Sequence, residues 1–234
     1  MGKAGRIVII AGIAVVLLTA IISSTTIKPA ADLGEVWDTD TIIGDAENMK
    51  HHYITYMDVM CPYCVAFEAA ILENEEEFIA DYIEGEKNGV FEVRVTDFLY
   101  EYGEHSPDNS RIGAEAIYCA KNQGKFWDYY KLVVKKLWSE YFSGGTVNGA
   151  DEIEKDFWID LAKKSGVDEE ELGDCMDSHE TLETIKENSL KAYQSMAETG
   201  NGGMPYFMFD GVAHSGFSLS WGWDEVKLYI ENKV

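Results

Sequence analysis

An aromatic and β-branched run, HYITYMD (52–58), gives way within three residues to Cys61-Pro62-Tyr63-Cys64 and then to the apolar stretch VAFEAAILENEEEFIADYIEG. The first run predicts a strand. Pro62 suits the first position of a helix, and Gly85 suits its stop. A strand must therefore run almost directly into a helix N-terminus, with two cysteines one turn apart at the junction, and few folds accommodate that. Apolar Phe67, Ile71, Phe78 and Ile79 share a face of the predicted helix, and the acids at 75–77 read as solvated. In GVFEVRVTDFLY, Phe91, Val93 and Val95 alternate with Glu92, Arg94 and Thr96, which is strand period. The opening reads as strand, CxxC, helix, strand.

The middle of the chain changes character. From about 108 to 199 the pattern is helical, with helices expected near 108–122, 125–141, 151–165, 168–176 and 179–198, and a loop at SGGTVNGAD (143–151). β patterning then returns. Residues 205–209 predict a strand, Asp210-Gly211 a hairpin turn, 212–217 the returning strand and 220–232 a closing helix. This order describes an α/β chain with a thioredoxin-like fold and a helical insertion. Residues 31–107 and 199–234 would form the split domain, and 108–198 the inserted helical block.

Ahead of this lies a membrane signal. Lys3 and Arg6 precede a run of 21 residues, 7–27, without a charge. As a helix it would reach about 31 Å, close to the thickness of a bilayer's hydrocarbon core. The positive flank places the N-terminus in the cytoplasm and the remainder outside. Residues 1–30 are expected to be a transmembrane signal anchor, with a cleaved signal peptide as the alternative; no clean Ala-x-Ala site follows the run. Either way the catalytic part would work outside the cytoplasm, where disulfides persist. The net charge is −23, and all 42 acids follow Pro29. Such a surface repels phosphate backbones and argues against nucleic-acid binding.

The cysteines carry the chemistry. A first sulfur at a helix N-terminus meets unpaired amides and the helix dipole, which favour the thiolate. Cys61 is therefore the expected nucleophile, and Cys64, one turn inside, the resolving thiol. Pro62 stiffens the turn, and Tyr63 offers a surface to substrate. Zinc and an inert structural bridge are the alternatives. Zinc needs two further ligands at metal spacing, and neither a second CxxC nor a His-x₃₋₅-His occurs. There is no GxGxxG, Walker A or GxSxG, so no cofactor is expected.

The segment YMDVMCPYCVAFE (56–68) resembles the active-site segment of DsbA-like thiol-disulfide oxidoreductases, and is most similar to their membrane-anchored, Gram-positive BdbD-like members. GNGGMPYFMFDG (200–211) resembles the family's cis-proline loop, and AKNQGKFWDYYKLV (120–133) a signature of its helical insert. The resemblance covers about residues 42–232. It implies that Pro205 is a cis-proline facing the CxxC and that the Met204 backbone meets the substrate peptide. Asp58 matches the family's acid three residues before the first cysteine. Two departures stand out. Tyr63 replaces the histidine of the archetypal DsbA, which implies a less stabilised thiolate and a less oxidising disulfide. That protein's buried glutamate falls at Thr55, which leaves Asp58 either as the proton acceptor or as a cap on the loop.

Cys119 and Cys175, 56 residues apart in the helical block, most simply form a structural disulfide, as in many anchored members the chain resembles. Closing such a loop contributes roughly 3–4 kcal/mol in the chain-entropy model. A second redox pair is the alternative. Trp127, Tyr129, Tyr130, Trp138, Tyr141 and Phe142 read as core and groove wall, and His105, His179 and His214 as isolated. The expected function is a dithiol oxidase acting on unfolded secreted proteins and reoxidised by a quinone-linked membrane partner of the DsbB or VKOR type. A reductase or isomerase with the same site, and a non-catalytic peptide-binding chaperone, are the alternatives.

Overall fold

The computed structural model describes residues 38–104, 107–143, 153–200 and 202–234. The apolar run at 7–27, His105 and nearly all of the 143–151 loop lie outside these. Among the described residues no helix is long and apolar enough to cross a membrane.

A 3-10 turn at Thr39–Thr41 leads into the two-residue strand β1 (Ile42–Ile43). The next strand, β2 (His51–Asp58), is buried along nearly its whole length, because it lies at the centre of the sheet. Helix α1 (Pro62–Glu73) follows, then α2 (Glu75–Phe78) and a π-helical turn at Ile79–Ile83. The sequence led us to expect one helix here. It breaks because the Asn74 side chain donates to the Ala70 carbonyl at 2.9 Å, and because three acids then favour a fresh helix N-terminus.

Strand β3 (Gly89–Thr96) runs parallel to β2, with Tyr53 opposite Phe91 and Asp58 opposite Thr96. The alternation over 91–96 matches this strand, and Phe98–Tyr102 beyond it forms helix α3. The chain turns at Asp97, a buried residue whose carboxylate accepts from Ser189 at 2.6 Å and pairs with Arg111 at 2.7 Å.

The helical block comprises α4 (Asp108–Asn122), α5 (Phe126–Leu137) with a π-helical turn at Trp138–Phe142, α6 (Lys155–Ser165), α7 (Glu169–Ser178) and α8 (Leu182–Thr199). Strands β4 (Tyr206–Phe209) and β5 (Val212–His214) and helix α9 (Trp223–Glu231) close the chain. Among the described residues the sheet order is β1-β3-β2-β4-β5, with β4 antiparallel to β2.

Alternation along the strands divides the core. Tyr53, Met57, Phe91, Val93, Val95, Phe207 and Phe209 face the larger core with α1, α5 and α9. Ile54, Tyr56 and Tyr206 face a smaller one closed by Ala192 and Met196 of α8. The rings of Phe67 and Phe207 lie 4.5 Å apart and bind α1 to the sheet; such a pair adds about 0.5–1.5 kcal/mol beyond area burial. Helix α4 approaches the turn before α1 very closely. A Cβ on Gly113 would meet Val59 and Trp158 at 2.6 Å each.

Candidate active site

The turn Asp58–Cys61 sits where β2 leaves the sheet. Cys61 is the N-cap of α1, in extended conformation, and its sulfur accepts from the Cys64 amide at 3.4 Å. Pro62 at the first helical turn has no amide to leave unpaired. Cys61 retains 5 % exposure while Cys64 retains none, and both are free thiols. Burial, together with the neighbouring Cys61 sulfur, pushes the Cys64 thiol well above its ordinary range. The two sulfurs are thus unequal: one caps a helix at the edge of solvent, the other is sealed. Tyr63 between them is 42 % exposed.

Strand register brings in the second motif. Tyr56 of β2 pairs with Tyr206 of β4, so Pro205, one residue earlier, lies level with the end of β2 and the turn to Cys61. The Met204–Pro205 peptide is cis; Pro205 is buried and Met204 half-buried.

Asp58 is fully buried, and its carboxylate already has three donors: the Met60 amide and the Leu99 amide, each at 2.8 Å, and the Ser110 hydroxyl at 2.6 Å. Burial outweighs these bonds and raises its pKa to about 6. These bonds tie the turn to α3 and α4, and the carboxylate also acts on the buried Cys64 sulfur.

A residue that sequence reasoning passed over lies deeper. Glu68, one helical turn after Cys64, is 1 % exposed, and burial raises its pKa to about 7. Thr55 of β2 and Tyr130 of α5 are the polar groups that act on its carboxyl, yet no oxygen of the three closes a hydrogen bond. Tyr130 also feels the Cys64 sulfur. The available signal was Glu68's standing as the lone charge between Val59 and Leu72.

Away from the turn, Cys119 of α4 and Cys175 of α7 are joined by a disulfide. Tyr129, Tyr130 and Phe142 are buried, and Trp127, Trp138 and Tyr141 pack partly buried against the same core. His179 pairs with Glu115 at 2.7 Å. Among the described residues no cluster of three or more His, Cys, Asp or Glu could hold a metal ion.

A family model described as thioredoxin matches residues 37–218. No curated protein matches the chain. Several solved structures do. The oxidised BdbD of Bacillus subtilis is similar at 18 % identity and TM-score 0.58, over 82 % of this chain and 91 % of that one. MdbA, a thiol-disulfide oxidoreductase from Corynebacterium diphtheriae, is similar at 17 % identity and TM-score 0.58, over 84 % and 91 %. DsbA of Chlamydia trachomatis is similar at 14 % identity and TM-score 0.57, over 85 % and 93 %. At these identities the likeness is one of fold: a thioredoxin-like α/β domain carrying inserted helices.

Proposed function

The chain belongs to the thioredoxin family, and on that premise we propose that it is an extracytoplasmic thiol-disulfide oxidoreductase working as a dithiol oxidase. The observation that carries this reading is the inequality of the two sulfurs. Cys61 caps α1 and receives an amide hydrogen bond, whereas Cys64 has no exposure. A client therefore exchanges with Cys61 and not with the sealed Cys64, which is the order of attack that handing a disulfide to a client requires.

In this reading a client thiolate attacks Cys61 of the oxidised pair and Cys64 leaves. A second client thiolate then attacks the client sulfur and releases Cys61. The client gains a disulfide, and both active-site thiols are left reduced. Met204 and Pro205 would hold the client backbone beside Cys61, and Tyr63 would cover a neighbouring side chain. Asp58 keeps the turn in place, and the Cys119–Cys175 bridge stays outside the chemistry. No cofactor takes part. A quinone-linked membrane protein of the DsbB or VKOR type would restore the disulfide, and the apolar run at 7–27 would keep the enzyme at the outer face of that membrane.

The reduction potential tests the direction. In glutathione buffers, with alkylation mass shifts at Cys61 and Cys64 as readout, a value between about −120 and −180 mV is expected for an oxidase. A value near about −270 mV would make the protein a reductase and replace the proposal. Cys61→Ser should abolish both insulin reduction and ribonuclease oxidation; activity surviving in that variant would overturn the redox reading.

A further inference from the structure

The face of the sheet turned away from α1 carries a charged network that the redox chemistry does not use. His52 of β2 and Glu92 of β3 are both buried there, and the imidazole Nε2 meets the carboxylate at 2.9 Å. The same carboxylate pairs with Nε of Arg94, and Arg94 Nη1 donates to the Tyr56 hydroxyl at 2.9 Å. A buried ion pair seldom stabilises a fold more than apolar residues of the same size would. This one does something else: Glu92 and Tyr56 hold the Arg94 guanidinium in one orientation from two sides.

That guanidinium stands between two hollows under α8. The larger, of about 330 Å³, is lined by Asp38, Glu92 and Glu187 as well as by Arg94 and Lys191, so acids outnumber bases in it. The smaller, of about 240 Å³, has the opposite balance. His52, Arg94 and Lys191 line it, against one acid among the described lining residues, Glu198. Glu92 lines the larger hollow and not the smaller, so its carboxylate backs Arg94 from the far side. In a chain with 42 acids and 19 bases, three bases to one acid is a local reversal of sign. Lys191, Gln194 and Ser195 follow helical spacing along one side of α8 and close the hollow from above. Ile54 and Met208 of the sheet supply an apolar floor.

We propose that the smaller hollow binds a small carboxylate with a short apolar body. The planar guanidinium of Arg94 matches a carboxylate, and the Lys191 ammonium adds a second charge from the helix. The apolar body rests on Ile54 and Met208. A bare phosphate would satisfy the two cations and leave that floor wet. A neutral apolar molecule would cover the floor and strip water from the cations without replacing it. The volume lies below the roughly 300 Å³ at which drug-sized pockets begin, so the ligand is of fragment size. The site lies across the sheet from Cys61 and is independent of the redox reading.

The test uses the full chain in detergent at neutral pH, with para-fluorophenylacetate as the probe and fluorine NMR as the readout. Detergent-only samples correct for partition into micelles. Saturable binding is expected, with the isosteric amide, para-fluorophenylacetamide, weaker by roughly tenfold or more. Lys191→Gln and Gln194→Glu change exposed positions of α8, and each should weaken the acid by a similar factor. Arg94→Gln should abolish binding; should that variant fail to fold, the two α8 variants decide. Equal affinity for acid and amide would overturn the proposal, as would an acid affinity unmoved in both α8 variants or no saturation at millimolar probe. Displacement of the probe by an equal concentration of inorganic phosphate would make this a bare-anion site and overturn the ligand class. A peptide C-terminus offers the same chemistry as a free organic acid. Displacement by N-acetyl-glycyl-leucine would support the site with peptide ends as its source, and displacement by unlabelled phenylacetate alone would support it with free acids.

Discussion

Ser110 donates its hydroxyl to the Asp58 carboxylate at 2.6 Å, a bond from the first helix of the inserted block to the end of the central strand. Both residues are fully buried. Removing the hydroxyl leaves a desolvated carboxyl oxygen with only the Leu99 amide. Ser110→Ala is expected to cost about 1–3 kcal/mol of stability, read by urea unfolding.

Close approach of α4 to the Val59 turn gives a second prediction. Gly113→Ala places a methyl 2.6 Å from both Val59 and the Trp158 ring. Neither can retreat within a packed core, so the variant should lose about 1–3 kcal/mol. The strain falls two residues from Cys61, and the rate of client oxidation should drop as well.

The helical block carries the bridge between Cys119 and Cys175, at a sequence separation of 56. Replacing both cysteines with alanine should lower unfolding free energy by roughly 3–4 kcal/mol. Assayed well below its melting temperature, the double variant should retain the reduction potential of the Cys61–Cys64 pair. A shifted potential would mean that the bridge takes part in electron transfer.

Glu68 should leave a signature in stability against pH. Its pKa is about 4.5 unfolded and about 7 folded, so between these values the folded chain holds the extra proton. The favourable contribution is complete below about 4.5 and is lost as pH rises through about 7. The loss is on the order of 3 kcal/mol. Glu68→Gln cannot ionise, so its stability relative to wild type should climb across this window in urea titrations from pH 4 to 8. Asp58, raised to about 6, slopes the same way in both proteins and cancels in the difference.

Cys64→Ser should trap clients. The variant can still accept a disulfide-bonded partner at Cys61 but lacks the thiol that releases it. Stable mixed disulfides should accumulate and be cleared by dithiothreitol on non-reducing gels.

The parts of this molecule legible in its sequence are those governed by local chemistry. Alternation in 90–95, the Pro62 helix start and the Asp210-Gly211 turn are each set within a few residues, and they order the blocks correctly. What escaped depends on distant contacts. Helix α3 went unread because nothing in DFLY announces that Asp97 will be drawn to Ser189 and Arg111. Glu68 escaped because a glutamate on a helix ordinarily faces water, and α1 has no watery side over that turn. It lies between the sheet and α5, buried from Cys64 through Leu72.

The inserted block also reaches back to the sheet at both ends. Ser110 and Gly113 near its start meet the Asp58 turn, and Ser189 near its end grips Asp97. A chimera that grafts another protein's helices between β3 and β4 would therefore need to import these three contacts along with the helices. Without them the recipient's cysteine turn would lose its anchor to the new cassette, however well the grafted helices packed among themselves.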